Sequence, residues 1–361
     1  MKRIGLLTSG GDCQALNATM RGIAKALYHL YDEDVEIIGF LDGYKGLMYE
    51  DYMRLTPADF SGILTKGGTI LGTSRQPFKL IHEPGENGID KVEAMKSTYR
   101  KLGLDCLYVL GGNGSQKTAN LLSTEGLNVI GMPKTIDNDL WGTDTSFGFQ
   151  SAVDIATSTI DCIHTTAASH NRCFIVELMG HSAGWLALNA GIAGGADIIL
   201  IPEIPYRLES VIRAVQKRNR RGRGFTIIAV AEGAKSVEDA GMKKKDYKKR
   251  IEEMKRLYPS ISYELAHDVG EATGMECRVA VPGHTQRGGA PDAYDRVLSS
   301  RLGTYGAQLF ARGEFGQMVV IRDRVITSIP LSEVAGKLKT VPPDSDIIAE
   351  ARMLGISFGD E

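Results

Sequence analysis

The stretch VLGGNGSQKTANLL, Val109 to Leu122, decides the fold. An apolar run ends in Gly-Gly-Asn-Gly-Ser and passes at once into helix-forming sequence, so a buried strand, a tight turn and a helix start follow one another. Such a turn presents backbone N–H groups and a hydroxyl to an anion at the new helix N-terminus. Nearer the chain start, TSGGDCQALNATMRG (Thr8 to Gly22) repeats the pattern between a strand at Ile4–Thr8 and a helix at Ala15–Leu30. It has neither the G-x-x-x-x-G-K-[ST] nor the G-x-G-x-x-G spacing, so P-loop and dinucleotide readings lack support. A plain strand-to-helix turn would explain this loop taken alone. Two such loops in one chain suggest a polyphosphate held between them.

Further apolar runs lie at Val35–Phe40, Leu104–Leu110, Val129–Met132, Cys173–Leu178, Ile198–Ile201 and Thr226–Ala231, separated by amphipathic stretches. Strands that are apolar throughout and alternate with helices predict an α/β fold with largely parallel sheets, ligands binding at the carboxyl ends of the strands. The chain has 361 residues, enough for one large or two moderate domains, and 43% hydrophobic against 24% charged residues suits a well-buried core. A formal net charge of -2 argues against a nucleic-acid surface as the main role. The start, MKRIGLLTSGG, carries no apolar signal region, and no apolar run is long enough to span a bilayer. The cysteines (Cys13, Cys106, Cys162, Cys173, Cys277) are dispersed without a CxxC pair, as in reduced proteins. A cytoplasmic protein is expected.

The strand Val129–Met132 feeds PKTIDNDLWGTDTSFGF, Pro133 to Phe149, which brings Asp137, Asp139 and Asp144 close together. Two carboxylates one residue apart, directly after a buried strand, are ill placed for a core. They suit a site where one takes a proton from a hydroxyl and the other faces a metal or phosphate. In HNRCFIVELMGHSAG, Arg172 precedes a strand and Met179-Gly180-His181 follows it, so cation and loop need not touch the same ligand atom. A surface ion pair is the default for Arg172 alone. In CRVAVPGHTQRGG, His284 and Arg287 lie in a glycine-rich loop suited to clamping a sugar phosphate, with helix capping or structural hydrogen bonding as the plainer account. The charged run Lys243–Arg250 reads as a solvated helix. The basic group Arg218, Arg220, Arg221 and Arg223 reads as solvated surface, with anion binding as its alternative.

Taken in order and at these separations, TSGGD, GGNGS, PKTIDND, VELMGHSAG and GHTQRGG resemble the phosphofructokinase family over most of the chain. The resemblance implies two α/β domains: residues 1–148 with about 286–336 binding the phosphate donor, and about 149–285 with 337–361 binding the sugar phosphate. It implies phosphoryl transfer to the 1-hydroxyl of fructose 6-phosphate from Mg-ATP or, in one branch, from pyrophosphate, within glycolysis. Position by position, Asp137 matches the general base, Thr135 lies beside the transferring group, and Asp139 matches a residue near the metal. Arg172 and Arg278 match arginines that reach the sugar 6-phosphate from a neighbouring subunit, so a homo-oligomer is implied. His284 and Arg287 match further 6-phosphate ligands, Glu232 a contact to sugar hydroxyls, and Met179 to His181 the sugar loop. Gly11, Tyr44, Arg75 and Gly112 to Ser115 match positions that hold the donor, Arg75 neutralising its charge.

This sequence departs from the family pattern at positions that bear on the donor. Gly114 matches ATP users, because pyrophosphate users generally carry an aspartate there that blocks the nucleotide. Lys134 matches pyrophosphate users, whose ammonium binds the inorganic phosphate. Steric exclusion outweighs an added charge, so ATP with Mg²⁺ is expected, a pyrophosphate-dependent enzyme being the alternative. Asn113 stands where most members have an aspartate near magnesium, Thr118 replaces a glycine near the adenosine pocket, and His181 replaces an arginine. Asn113 and His181 motivate a second alternative, a catalytically weak regulatory paralogue. Arg21 and Arg223 only partly match the family's allosteric phosphate site, so strong effector control is not expected.

Overall fold

The computed structural model describes residues 1–220 and 224–361, in two compact units: Met1–Ser151 with Arg287–Lys339, and Ala152–Gln286 with Thr340–Glu361. Arg221 and Arg223 of the basic group lie outside the described residues.

Strands β1 (Lys2–Ser9), β2 (Val35–Phe40), β3 (Tyr52–Leu55), β4 (Cys106–Gly111), β5 (Val129–Pro133), β10 (Gln317–Arg322) and β11 (Val325–Pro330) build the sheet of the first unit; between them in sequence come β6 (Cys173–Leu178), β7 (Ile198–Leu200), β8 (Thr226–Ala231) and β9 (Cys277–Ala280) of the second. The first sheet has the order β11-β10-β5-β4-β1-β2-β3. Its middle is parallel, and every residue of β4 and β5 is buried, as a strand covered on both faces requires. The sheets are largely parallel, as expected, with antiparallel pairing only at the two margins of this one, where β3 pairs with β2 and β11 with β10. Both edge strands leave most of their residues partly or fully exposed, which is why neither shows as an apolar run. The β10–β11 hairpin turns on Asp323 and Arg324, with φ of 50° and 66°. That left-handed pair makes a tight two-residue turn without the glycine or asparagine that usually announces one.

From β1 the chain moves outward to β2, whereas β4 leads to β5 on the other side, so the order reverses between β1 and β4. Open α/β sheets bind ligands at such reversals, beyond the carboxyl ends of the strands. Below that edge the helices Leu16–Tyr31 and Ala293–Arg312 pack closely. Gly303 permits it: a Cβ there would sit 2.7 Å from the Thr19 carbonyl oxygen and the Ile23 nitrogen. Asp295, fully buried in the second of these helices, accepts hydrogen bonds from Gly148 N (3.0 Å), Ser151 N (2.9 Å) and Ser151 Oγ (2.6 Å). It thereby fixes the exit of the Pro133–Phe149 segment.

The second unit's sheet, β7-β8-β6-β9, is parallel throughout. Its core joins Ile175, Leu200, Val211, Ile228 and Val230. No described helix is long and apolar enough to cross a membrane.

Candidate active site

At the carboxyl ends of β1, β4 and β5 three loops line a cavity of about 380 Å³, within the usual range for a small-molecule site. Ser9, Gly10 and Gly11 come from the first loop, Gly112 to Ser115 from the second, Lys134, Thr135, Asp137 and Asp139 from the third; the segment Arg75 to Phe78 and Arg287 complete it. Sequence-distant residues meet here because three neighbouring parallel strands end together.

The first loop requires glycine at one position through its backbone, and at the next a side chain would displace the Arg287 guanidinium. Gly10 has φ of +86°, and a Cβ on Gly11 would lie 2.8 Å from Nη1 of Arg287. Arg287 lies across this loop, its Nη1 donating to the Asp12 carbonyl at 2.9 Å. Thr73 Oγ1 donates to the Gly10 carbonyl (2.7 Å) and Gly10 N donates to Ser74 O (3.0 Å), which pins the loop carrying the exposed Arg75 at the rim.

The second loop opens the helix Asn113–Thr124, whose N-cap, Gly112, brings no side-chain cap. The N–H groups of Asn113, Gly114 and Ser115 in the first turn therefore lack helical acceptors, an arrangement that suits an anion. Ser115 Oγ donates to Ser9 Oγ at 3.0 Å, joining the first and second loops. Tyr44 does not line the cavity: it is buried behind the loop, its hydroxyl donating to the Ser115 carbonyl at 2.8 Å. Its part is to hold Ser115 in place. Thr118 is fully buried and turned back towards the Gly114 carbonyl, so it too stays outside the lining. A Cβ at Gly114 would meet nothing within 4 Å.

In the third loop Lys134 is buried and donates its ammonium to the Gly11 carbonyl. Burial, reinforced by the like charge of Arg287, pushes its pKa down to about 8, although Cys13, Asp12 and Asp137 pull the other way. Thr135 Oγ1 accepts the N–H of Asp137 at 3.1 Å, which leaves its own hydroxyl proton for another acceptor. Asn138, between the two aspartates, has φ of 51°, a conformation asparagine tolerates better than most residues. Its Oδ1 accepts from Ser146 N at 3.1 Å and its Nδ2 donates to Asp144 O at 3.3 Å, closing the loop on itself.

Asn113 donates Nδ2 to the Lys337 carbonyl at 2.5 Å, and its buried Oδ1 has no hydrogen-bond partner. That oxygen and the Asp137 and Asp139 carboxylates are hard donors in this cavity's lining, and the first and last are those the resemblance associates with magnesium. Among the described residues no three His, Cys, Asp or Glu side chains converge as a metal cage. The donor set fits an ion bound mostly by a ligand's phosphate oxygens.

The second unit gathers a separate group. Met179, Gly180 and His181 follow β6, Glu232 follows β8 and His284 follows β9. Glu232 N donates to Leu178 O at 2.8 Å, and Met179 N donates to Oε1 of Gln286 at 3.3 Å, so the three loops form one edge. His181, Glu232 and His284 are exposed there. Arg172 and Arg278 sit at the opposite edge, where β6 and β9 begin. Both grip Glu276, Arg172 Nε at 2.6 Å, and these ion pairs hold the Glu276 carboxyl below its usual range. The six residues of β6, roughly 20 Å of strand, separate Arg172 from Met179, and Arg278, paired with Phe174, stands four residues short of Leu178.

Residues 3–310 match the family model described as phosphofructokinase. This chain belongs to the phosphofructokinase family. It is 57% identical to the ATP-dependent 6-phosphofructokinase of Spirochaeta thermophila, over 99% of this chain and 98% of that protein. A protein of the same name from Propionibacterium freudenreichii subsp. shermanii is 46% identical over 99% of each chain. The solved phosphofructokinase of Saccharomyces cerevisiae superposes with a TM-score of 0.78 at 30% identity, covering 92% of this chain; this chain spans 45% of the yeast one.

Several contributors to this phosphofructokinase cavity escape the sequence. Gln116, fully buried, donates Nε2 to Gly111 O (2.9 Å) and Met132 O (3.0 Å), stitching β4 to β5 under the loops. Lys339, far along the chain, contacts the third loop, and only the fold reveals it. In the basic group, Arg218 is ion-paired with Asp197 and stacked 5.0 Å from the Phe225 ring centre, so it is committed within the fold. The run Lys243–Arg250 lies largely on the exposed helix Lys244–Met254, as expected, except that Arg250 pairs with buried Asp239 (3.2 Å) and Glu264 (2.7 Å).

Proposed function

We infer that this phosphofructokinase transfers the terminal phosphoryl group of ATP to the 1-hydroxyl of fructose 6-phosphate, giving fructose 1,6-bisphosphate and ADP in glycolysis. The observation that carries the reading is the convergence of Lys134, Thr135 and Asp137 with two glycine loops and two arginines around one cavity. Phosphoryl transfer needs little covalent chemistry from a protein; it needs positioning and charge stabilisation, which this set supplies.

The N–H groups of residues 113–115 and the loop Ser9–Asp12 hold the donor phosphates, and Arg75 neutralises charge on the transferring group. Thr135 directs its hydroxyl proton to that group. Asp137 takes the proton of the attacking sugar hydroxyl. Asn113 and Asp139 would hold Mg²⁺, which when bound screens charge on the phosphate oxygens. Met179, Gly180 and His181, with Glu232, grip the sugar, and His284 and Arg287 its 6-phosphate. Arg287 already meets the first glycine loop, so its anchoring of Asp12 accompanies that role.

Arg172 and Arg278 act in a neighbouring subunit's site. The placement of both at the far edge of the sheet from Met179, Glu232 and His284 supports a homo-oligomer with shared sites. ATP is favoured over pyrophosphate by the open space at Gly114. The protein works in the cytoplasm, in keeping with its free cysteines.

Phosphorus NMR of product formed from ATP and fructose 6-phosphate tests the reading. A second sugar phosphate signal at carbon 1, absent with Asp137→Asn, is expected. ATP hydrolysis alone, or no turnover, would replace this reading with a regulatory paralogue.

A further inference from the structure

We propose that Lys339 is a positioning residue for phosphoryl transfer: its ammonium group holds the loop bearing Asp137 and Asp139 in shape. The inference rests on reading that loop as catalytic. Lys339 is the last residue of the first unit and lies two hundred positions from the loop it touches. Its Nζ donates to Asn138 Oδ1 (2.9 Å), Thr143 O (2.7 Å) and Asp144 O (2.9 Å). Three acceptors converge on a group with three donors, which no water molecule and no neutral side chain of that length could match.

The main chain adds to this anchor. Lys339 N donates to the Asp139 carbonyl at 2.9 Å, and Leu338 forms an antiparallel bridge with Leu140. One residue earlier, the Lys337 carbonyl accepts from Asn113 and its ammonium lies 5.8 Å from the Trp141 ring centre. Segment 337–339 is thus a strap across both the second and third loops.

The loop needs such an anchor. It contains no long regular element, and Asn138 holds a left-handed conformation immediately after Asp137. Asp139 and Asp144 are the charged groups facing the Lys339 ammonium, and both favour its charged form. Without Lys339, the oxygens of Asn138, Thr143 and Asp144 would face one another with no cation between them, and the loop would open. Displacing a reacting group by about 1 Å can cost roughly a hundredfold in rate. Donor binding draws on the two glycine loops and on Lys134, which is held by the Gly11 carbonyl and not by Lys339, so it should change far less.

The test compares wild type with Lys339→Met and Lys339→Arg, measuring kcat and KM for each substrate. Acrylamide quenching of Trp141 fluorescence, in a Trp185→Phe background, reports the loop directly. Lys339→Met should lower kcat about 10- to 100-fold with donor KM within about twofold, and should make Trp141 more easily quenched. Lys339→Arg, which keeps charge and donors, should recover most of the lost kcat. Lys339→Gln replaces the methionine variant if that protein does not fold. A kcat within about twofold of wild type, a loss appearing only in KM, or an arginine variant no better than methionine would overturn the proposal. A wild type that phosphorylates no sugar, with Trp141 still quenched more easily in Lys339→Met, would sink the catalytic reading and leave the anchoring intact.

Discussion

The buried ammonium of Lys134 donates to the carbonyl of Gly11, tying the turn after β5 to the glycine loop after β1. Its pKa near 8 lies below lysine's ordinary value because burial disfavours the charge. The unfolded chain therefore holds this proton more tightly than the folded one. The stability Lys134 contributes is complete above its unfolded value and is lost as pH falls through about 8. Donor binding should run the other way, since the charged form attracts phosphate. Donor KM should rise as pH passes about 8 in wild type and stay high and flat in Lys134→Met. A wild-type donor KM unchanged across that range would contradict the role. Lys339, also pushed down to about 8, is expected to act on kcat, so the two variants separate the effects.

Asp137→Asn keeps shape and removes the base. Turnover should fall by about 10²- to 10⁴-fold with both KM values nearly unchanged, as measured in a coupled assay of fructose 1,6-bisphosphate. A loss confined to KM would move Asp137 from proton transfer to binding.

Gly114 faces open space; with ATP as the proposed donor, an aspartate there would project a carboxylate into the nucleotide's place. Gly114→Asp should reduce kcat/KM with ATP at least about tenfold and leave activity with pyrophosphate similar or improved. The melting temperature should hold, because a Cβ at this position meets nothing. Equal losses with both donors would disprove the steric account.

Arg172 and Arg278 at the far edge of the second sheet predict complementation between subunits. Two inactive variants, Asp137→Asn and Arg172→Leu, should regain activity when their subunits are mixed and exchanged, because hybrids contain intact sites. Absence of recovery despite exchange, seen by native mass spectrometry, would place each site within a single chain.

Most of the parallel core was legible because strands covered on both faces are apolar throughout: Val35–Phe40, Cys173–Leu178 and Thr226–Ala231 have the bounds their runs suggest. Edge strands were not. Tyr52–Leu55 and Val325–Pro330 mix polar and apolar residues because part of each faces solvent. Among site residues, glycines and aspartates signal themselves through spacing after a strand. Tyr44 is different: only the resemblance links it to the donor, and its hydroxyl donates to the Ser115 carbonyl, a contact that no local pattern announces. Gln116 and Lys339 act through backbone carbonyls, and which carbonyls a side chain meets depends on loops folded from elsewhere in the chain. No local pattern encodes that.

Donor choice defines this phosphofructokinase as much as acceptor choice does. Its most direct measurement is kcat/KM for fructose 1,6-bisphosphate formation with Mg-ATP and with Mg-pyrophosphate, at saturating fructose 6-phosphate and the same pH. The higher value is expected with ATP; a higher value with pyrophosphate would make pyrophosphate the donor and overturn the reading of Gly114.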